Sequence, residues 1–83
     1  MEEIKVSIRC FGMFRQFGNE IDVSILANSS VDDIKGAIVR HLGEKYKEIV
    51  GSSVLANDSG ILPGEYIVYA PIELSILPPV CGG

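Results

Sequence analysis

Eighty-three residues, 47% of them hydrophobic and 22% charged, describe one compact domain and exclude a nucleotide fold with its own substrate domain. Eleven acidic against seven basic residues leave a formal charge of -4 without the clustered Lys and Arg stripe that a nucleic-acid ligand requires. An acidic domain suits a basic protein partner better.

The start, Met1-Glu2-Glu3-Ile4-Lys5, is acidic where a signal peptide is basic, and no apolar run has the length to cross a bilayer. These features predict a soluble cytoplasmic protein with no membrane partner. From Ile4 the chain alternates. Ile4, Val6, Ile8 and Cys10 fall on one face of a strand, and Lys5, Ser7, Arg9 and Phe11 on the other. After the segment from Gly12 to Asn19, a second alternation places Ile21, Val23, Ile25 and Ala27 together, opposite Asp22 and Ser24, which predicts a hairpin.

Ser30, followed three residues later by Asp33, resembles a capping box and predicts a helix from Val31. Its apolar stripe is Val31, Ile34, Ala37, Ile38 and Leu42, its wet side Asp32, Lys35 and Arg40, and its stop Gly43. Gly36 inside it costs about 1 kcal/mol relative to Ala unless close packing requires it. A short helical stretch is expected over Glu44 to Val50 and a short strand over Ser53 to Ala56. Turns are expected at Asn57 to Gly60 and at Pro63-Gly64, with final strands over Glu65 to Ala70 and Glu73 to Leu77, separated by Pro71. Strand, strand, helix and then strands argue an α+β domain, a mixed sheet with one main helix packed on one face. The helix is the crossover that lets a later strand run parallel to the first. This is the β-grasp arrangement of ubiquitin-like proteins.

No catalytic set is visible. His41 stands alone, no glycine-rich phosphate loop is present, and the two cysteines, Cys10 and Cys81, form no metal-ligand or disulfide pattern. Cys10 reads as a small core residue. The ending, Pro78-Pro79-Val80-Cys81-Gly82-Gly83, stands out. The body is expected over residues 1–77 and an extended, flexible tail over 78–83. Two prolines stiffen the chain as it leaves the last strand. Six extended residues reach roughly 20 Å, enough to carry a carboxylate into another protein's active site. Glycines pass a narrow tunnel that excludes side chains. A carboxylate acylates nothing until its oxygen becomes a leaving group, as in an acyl-adenylate, which sulfide, a thiolate or an amine then attacks. A terminal Gly-Gly by itself is commonly a frayed end; the rigid Pro-Pro and the predicted body give it meaning.

The ending Leu77-Pro78-Pro79-Val80-Cys81-Gly82-Gly83 and the stretch Phe11-Gly12-Met13-Phe14-Arg15 with Gly18 resemble the MoaD/ThiS family of sulfur carriers, most closely the small-subunit type of molybdopterin synthase. Two places differ from the family pattern: Ala70-Pro71-Ile72-Glu73 replaces its usual Gly-Asp turn, and Arg15 lies one residue closer to Gly18. The resemblance implies a subunit without turnover of its own. An E1-like adenylating enzyme uses ATP to activate Gly83, sulfur replaces the adenylate as a thiocarboxylate, and the tail enters the synthase large subunit and donates sulfur to a pterin precursor of the molybdenum or tungsten cofactor. No cofactor is implied on the chain itself. Gly83 supplies the reacting atom, Gly82 gives access, and Pro78, Pro79 and Val80 aim the tail. Leu77 and Phe11 are expected on the sheet face away from the helix as a docking surface, Arg15 as a pairing group for an acidic partner, and Cys81 as a thiol beside the reactive carboxylate. The same tail serves a ubiquitin-like modifier conjugated to lysines, a carrier for thiamin synthesis or tRNA thiolation, or a plain interaction domain whose tail is never activated.

Overall fold

The computed structural model describes residues 2–79. β1 (Glu3–Cys10) and β2 (Glu20–Leu26) pair antiparallel, from Glu3 opposite Leu26 to Arg9 opposite Glu20. The alternation decides which face is buried: Ile4, Val6, Ile8, Cys10, Ile21, Val23 and Ile25 all lie in the core. The hairpin connection contains a 3-10 helix, Gly12–Phe17, that buries Phe14 in the same core. Phe17 meets Tyr46 edge to face, with ring centroids 4.9 Å apart.

α1 (Val31–Leu42) starts and stops where its caps predict. The Ser30 hydroxyl accepts from the Asp33 amide at 3.1 Å, and the Ser30 amide donates to the Asp33 carboxylate at 2.9 Å. The amides of Val31 and Asp32 donate instead to the carbonyls of Tyr66 and Gly64, at 2.9 and 3.0 Å. All four amides that a helix start leaves unpaired are thereby satisfied, two of them by a distant segment. Val31, Ile34, Ala37 and Ile38 are buried while Leu42 is half-buried. Gly43 ends the helix at φ 122°, a region that disfavours other residues, with its amide on the Val39 carbonyl.

A 3-10 turn (Glu44–Tyr46) and α2 (Lys47–Ser52) then carry Val50 into the core. Ser53 is buried, and its hydroxyl donates to the Ile49 carbonyl at 2.6 Å. The expected strand at Ser53 to Ala56 is shifted by one residue to β4 (Val54–Asn57). The Asn57 side chain accepts from the Ser59 amide at 2.8 Å, closing the turn into β5 (Gly60–Leu62), which pairs antiparallel with β4.

The strand expected over Glu65 to Ala70 is corrected to two residues, β6 (Ile67–Val68). It pairs with an equally short β3 (Ser29–Ser30) and not with the main sheet. The carbonyls of Gly64 and Tyr66, just before it, are taken by the start of α1, and that of Val68 by the Asn28 amide, so the segment serves as a backbone cap rather than a sheet strand. β7 (Ile72–Leu77) begins directly after Pro71 and completes a five-stranded sheet of order β2-β1-β7-β4-β5. It runs parallel to β1, with Val6 opposite Ile72 and Cys10 opposite Ile76, and antiparallel to β4, with Leu77 opposite Val54. The long return through α1 and the elements after it permits that parallel pairing. The result is the ubiquitin-like β-grasp, with α1 on one face of a mixed sheet and the other face open.

Candidate functional site

β7 is the central strand, and Leu77 is its last residue. Leu74 and Ile76 point into the core, so Glu73, Ser75 and Leu77 take the open face by parity. Phe11 remains extended at φ -126° and ψ 158°. It continues β1 beyond Cys10, and so lies beside Leu77 in register with it. Both are half-buried. Strand parity thus puts Phe11 and Leu77 on the side away from the helix.

The root of the tail is held by a close contact. Gly12 adopts φ 58°, and a Cβ at that position would lie 2.7 Å from Cγ of Pro78. Only a residue without a side chain lets the proline ring rest there. Pro78 and Pro79 are half-buried and leave the sheet from its central strand. Arg15 is exposed one turn further on, its guanidinium 5.8 Å from the centre of the Phe11 ring. The structure thus gathers Phe11, Arg15, Leu77, Pro78 and Pro79 at one end of the sheet. Val80, Cys81, Gly82 and Gly83, the remaining tail residues singled out from the sequence, lie outside the described residues.

Three site residues escape a reading of the sequence. Val54 sits opposite Leu77, and Ala56 sits between Ser75 and Ile61 across the sheet. Ile61 is 65% exposed. With Leu77 and Phe11 they form an apolar surface on the open face. The signal for Ile61 was the Asn57 to Gly60 turn, which closes a hairpin and thereby gives its second strand a face; without that pairing Ile61 has no assigned side. Elsewhere the open face carries two exposed ion pairs, Lys5 on Asp22 at 3.3 Å and Arg9 on Glu73 at 3.8 Å, with serines and Leu26 between and beyond them.

Burial pushes the Cys10 thiol above its ordinary value, and the nearby Glu20 charge adds to this, so the sulfur stays protonated and unreactive at neutral pH. Among the described residues no three His, Cys, Asp or Glu side chains are grouped to hold a metal ion, and no helix is long and apolar enough to cross a membrane. This arrangement can launch and orient an extended tail and offer an apolar surface beside its root.

No family model matches the chain, and no curated protein matches it in sequence. Solved structures do match in fold. A putative molybdopterin converting factor, subunit 1, from Pyrococcus furiosus superposes with a TM-score of 0.76 at 21% identity, covering 93% of this chain and 99% of that one. SAMP1 from Haloferax volcanii gives 0.77 at 16% identity, covering 95% of this chain and 99% of that one. A ubiquitin from Caldiarchaeum subterraneum gives 0.67 at 13% identity, covering 99% of this chain and all of the other. At these identities the likeness establishes the ubiquitin-like fold.

Proposed function

We propose that the chain is a sulfur carrier that acts through the carboxylate of Gly83, and that it serves as the small, non-catalytic subunit of a molybdopterin synthase. The observation that carries this reading is the seating of Pro78 on Gly12 at the end of the central strand, beside the apolar surface of Phe11, Leu77 and Val54. A tail with a fixed root and a docking surface next to it delivers its end to a defined place in a partner. The Pro-Pro-Val-Cys-Gly-Gly ending and the fold shared with a molybdopterin converting factor subunit support the same assignment.

Activation runs in two steps. The Gly83 carboxylate attacks the α-phosphate of ATP on an E1-like enzyme, forming an acyl-adenylate and releasing pyrophosphate. Hydrosulfide then attacks the acyl carbon, AMP leaves with the bonding pair, and a proton is released as the thiocarboxylate forms. Bound to a large synthase subunit, the thiocarboxylate sulfur attacks a carbon of a pterin precursor and displaces an oxygen leaving group, and water then cleaves the resulting thioester, leaving the sulfur on the pterin and returning the Gly83 carboxylate. Leu77 contributes docking area, Pro78 and Pro79 direct the tail, and Arg15 meets an acidic group of the partner. The thiol of Cys81 lies close enough in sequence to capture the activated acyl group, so it is replaced by Ser in the decisive measurement.

Intact mass is the test. The Cys81→Ser protein, incubated with an E1-like enzyme, ATP and sulfide, is expected to exchange one oxygen for sulfur at Gly83. A free carboxylate under those conditions overturns the carrier reading. Isopeptide-linked ladders with unmodified sulfur content move the assignment to a protein modifier.

A further inference from the structure

β2 lies at one end of the sheet, and its outer edge meets no other strand of the described residues. The amide of Cys10 donates to Asn19 and that of Ala27 to Glu2, each at 2.9 Å. These bonds extend the register of Ile4 with Ile25 and Ile8 with Ile21, so the odd-numbered residues of β2 direct their backbone toward β1. Glu20, Asp22, Ser24 and Leu26 therefore turn their N–H and C=O groups outward, an unpaired row over the length of the strand.

A groove of about 420 Å³ runs beside the C-terminal half of that edge, between Ile25 and Leu26 on one wall and Asp32, Asp33, Gly36 and Arg40 of α1 on the other. Gly36 has no role in the fold that accounts for it. A Cβ there would meet only an Arg40 side-chain nitrogen, at an ordinary 3.6 Å, while glycine in a helix interior costs about 1 kcal/mol relative to Ala. It keeps the wall of this groove low, as it does that of a second hollow between α1 and α2. The charges are one-sided. Glu20 and Asp22 stand on the outer strand, Asp32 and Asp33 on the groove wall, and Arg40 is the sole cation lining the groove. Lys5 pairs with Asp22 from one strand further in, and Asp33 also caps α1.

We propose that β2 accepts an added strand from a basic partner protein, an extended segment in which small apolar residues facing the groove alternate with Lys or Arg facing Glu20 and Asp22. The backbone row supplies the hydrogen bonds, the low wall at Gly36 admits the inward side chains, and the carboxylates select the sign of the partner. A second copy of this chain is a poor occupant, because it brings Glu20 and Asp22 of both molecules to one edge with a net charge of -4 on each. The surface is separate from Phe11 and Leu77 and uses no tail residue, so it stands whether or not Gly83 is activated.

The experiment is amide hydrogen exchange by NMR on the full chain, titrated with a capped heptapeptide alternating Lys and Val and with its Glu and Val counterpart. In the free protein the amides of Ile21, Val23 and Ile25 are expected to be protected and those of Glu20, Asp22, Ser24 and Leu26 to exchange fast. The Lys and Val peptide should slow the second set selectively, and the acidic peptide should bind at least about tenfold more weakly at low salt. Ser24→Pro removes an outward amide at an edge, where proline is tolerated, and should abolish binding while Ile21 and Val23 stay protected. Gly36→Leu raises the groove wall without disturbing the hairpin and should weaken binding at least about tenfold, on the same warrant of a filled groove. The proposal is overturned by equal affinity for both peptides, by protection that maps to β5 or Leu77, or by the absence of saturable binding. Unchanged affinity in Gly36→Leu also rejects it, as does slowing of the outward amides with protein concentration alone, which would assign the edge to a second copy.

Discussion

On the open face of the sheet, the part over β1, β2 and the start of β7 carries Lys5, Asp22, Arg9 and Glu73 in two exposed ion pairs. The part over β4, β5 and the end of β7 carries Val54, Ala56, Ile61 and Leu77. Both parts arise from the same alternation, and both lie across the backbone from the same core. The charged part is stable against water as it stands, since each of its groups is solvated and each pair contributes little. The apolar part leaves hydrocarbon in water beside the root of the tail, where a partner that covers it gains roughly 25 cal/mol for each Å² removed from solvent. One sheet face thus holds a region that gains little from being covered and a region that would gain from it.

The sharpest break between core and open face lies within β7. Leu74→Ala, on the buried side, should cost about 2–5 kcal/mol, read as a lower urea midpoint at unchanged slope. Leu77→Glu, three residues on, should leave that midpoint almost where it was. Under the proposed function it should abolish calorimetric binding to a large synthase subunit, and retained affinity would remove Leu77 from the docking surface. Gly12→Ala tests the link between body and tail. The residue must hold φ 58° and displace Pro78, so a loss of about 1–3 kcal/mol is expected. Slower thiocarboxylate formation should accompany it even where the protein remains folded.

Acid gives a smaller effect from the other side of the molecule. The Ser30 amide, aided by its hydroxyl, holds the Asp33 carboxyl below its ordinary value of 3.8. A carboxyl lowered on folding contributes stability that is present above its unfolded value and disappears as pH falls through the folded one. The start of α1 should therefore loosen only below about pH 4, and Asp33→Asn should flatten that part of a helicity profile recorded by circular dichroism. Smallest of all is the charged part itself. Lys5→Ala should change stability by less than about 1 kcal/mol, in keeping with exposed pairs. A larger loss would show that the ion pairs are structural and would erase the contrast with Leu77.

Long periodic segments were legible. β1, β2 and α1 carry seven or more residues each, enough repeats for period and parity to name both the element and its buried side. The parity that placed Ile8 in the core also placed Phe11 on the opposite side. β3 and β6 have two residues apiece, too few to show any period. Their pairing joins Ser29 to Val68, a contact no local pattern encodes. Ile61 was missed for the same reason, since β5 has a face only once Gly60 has turned it back against Asn57.

By itself the sequence determined the alternation of the first hairpin, the two ends of α1 and the proline-then-glycine composition of the ending, because each rests on neighbouring residues and on local backbone and capping chemistry. The tertiary structure alone decided that Tyr66 and Gly64 cap the start of α1 and that Pro78 rests on Gly12. It likewise brought Leu77, Val54 and Ile61 onto one surface. Those contacts join positions far apart in the chain, and they form only when the core closes and sets the strands in register.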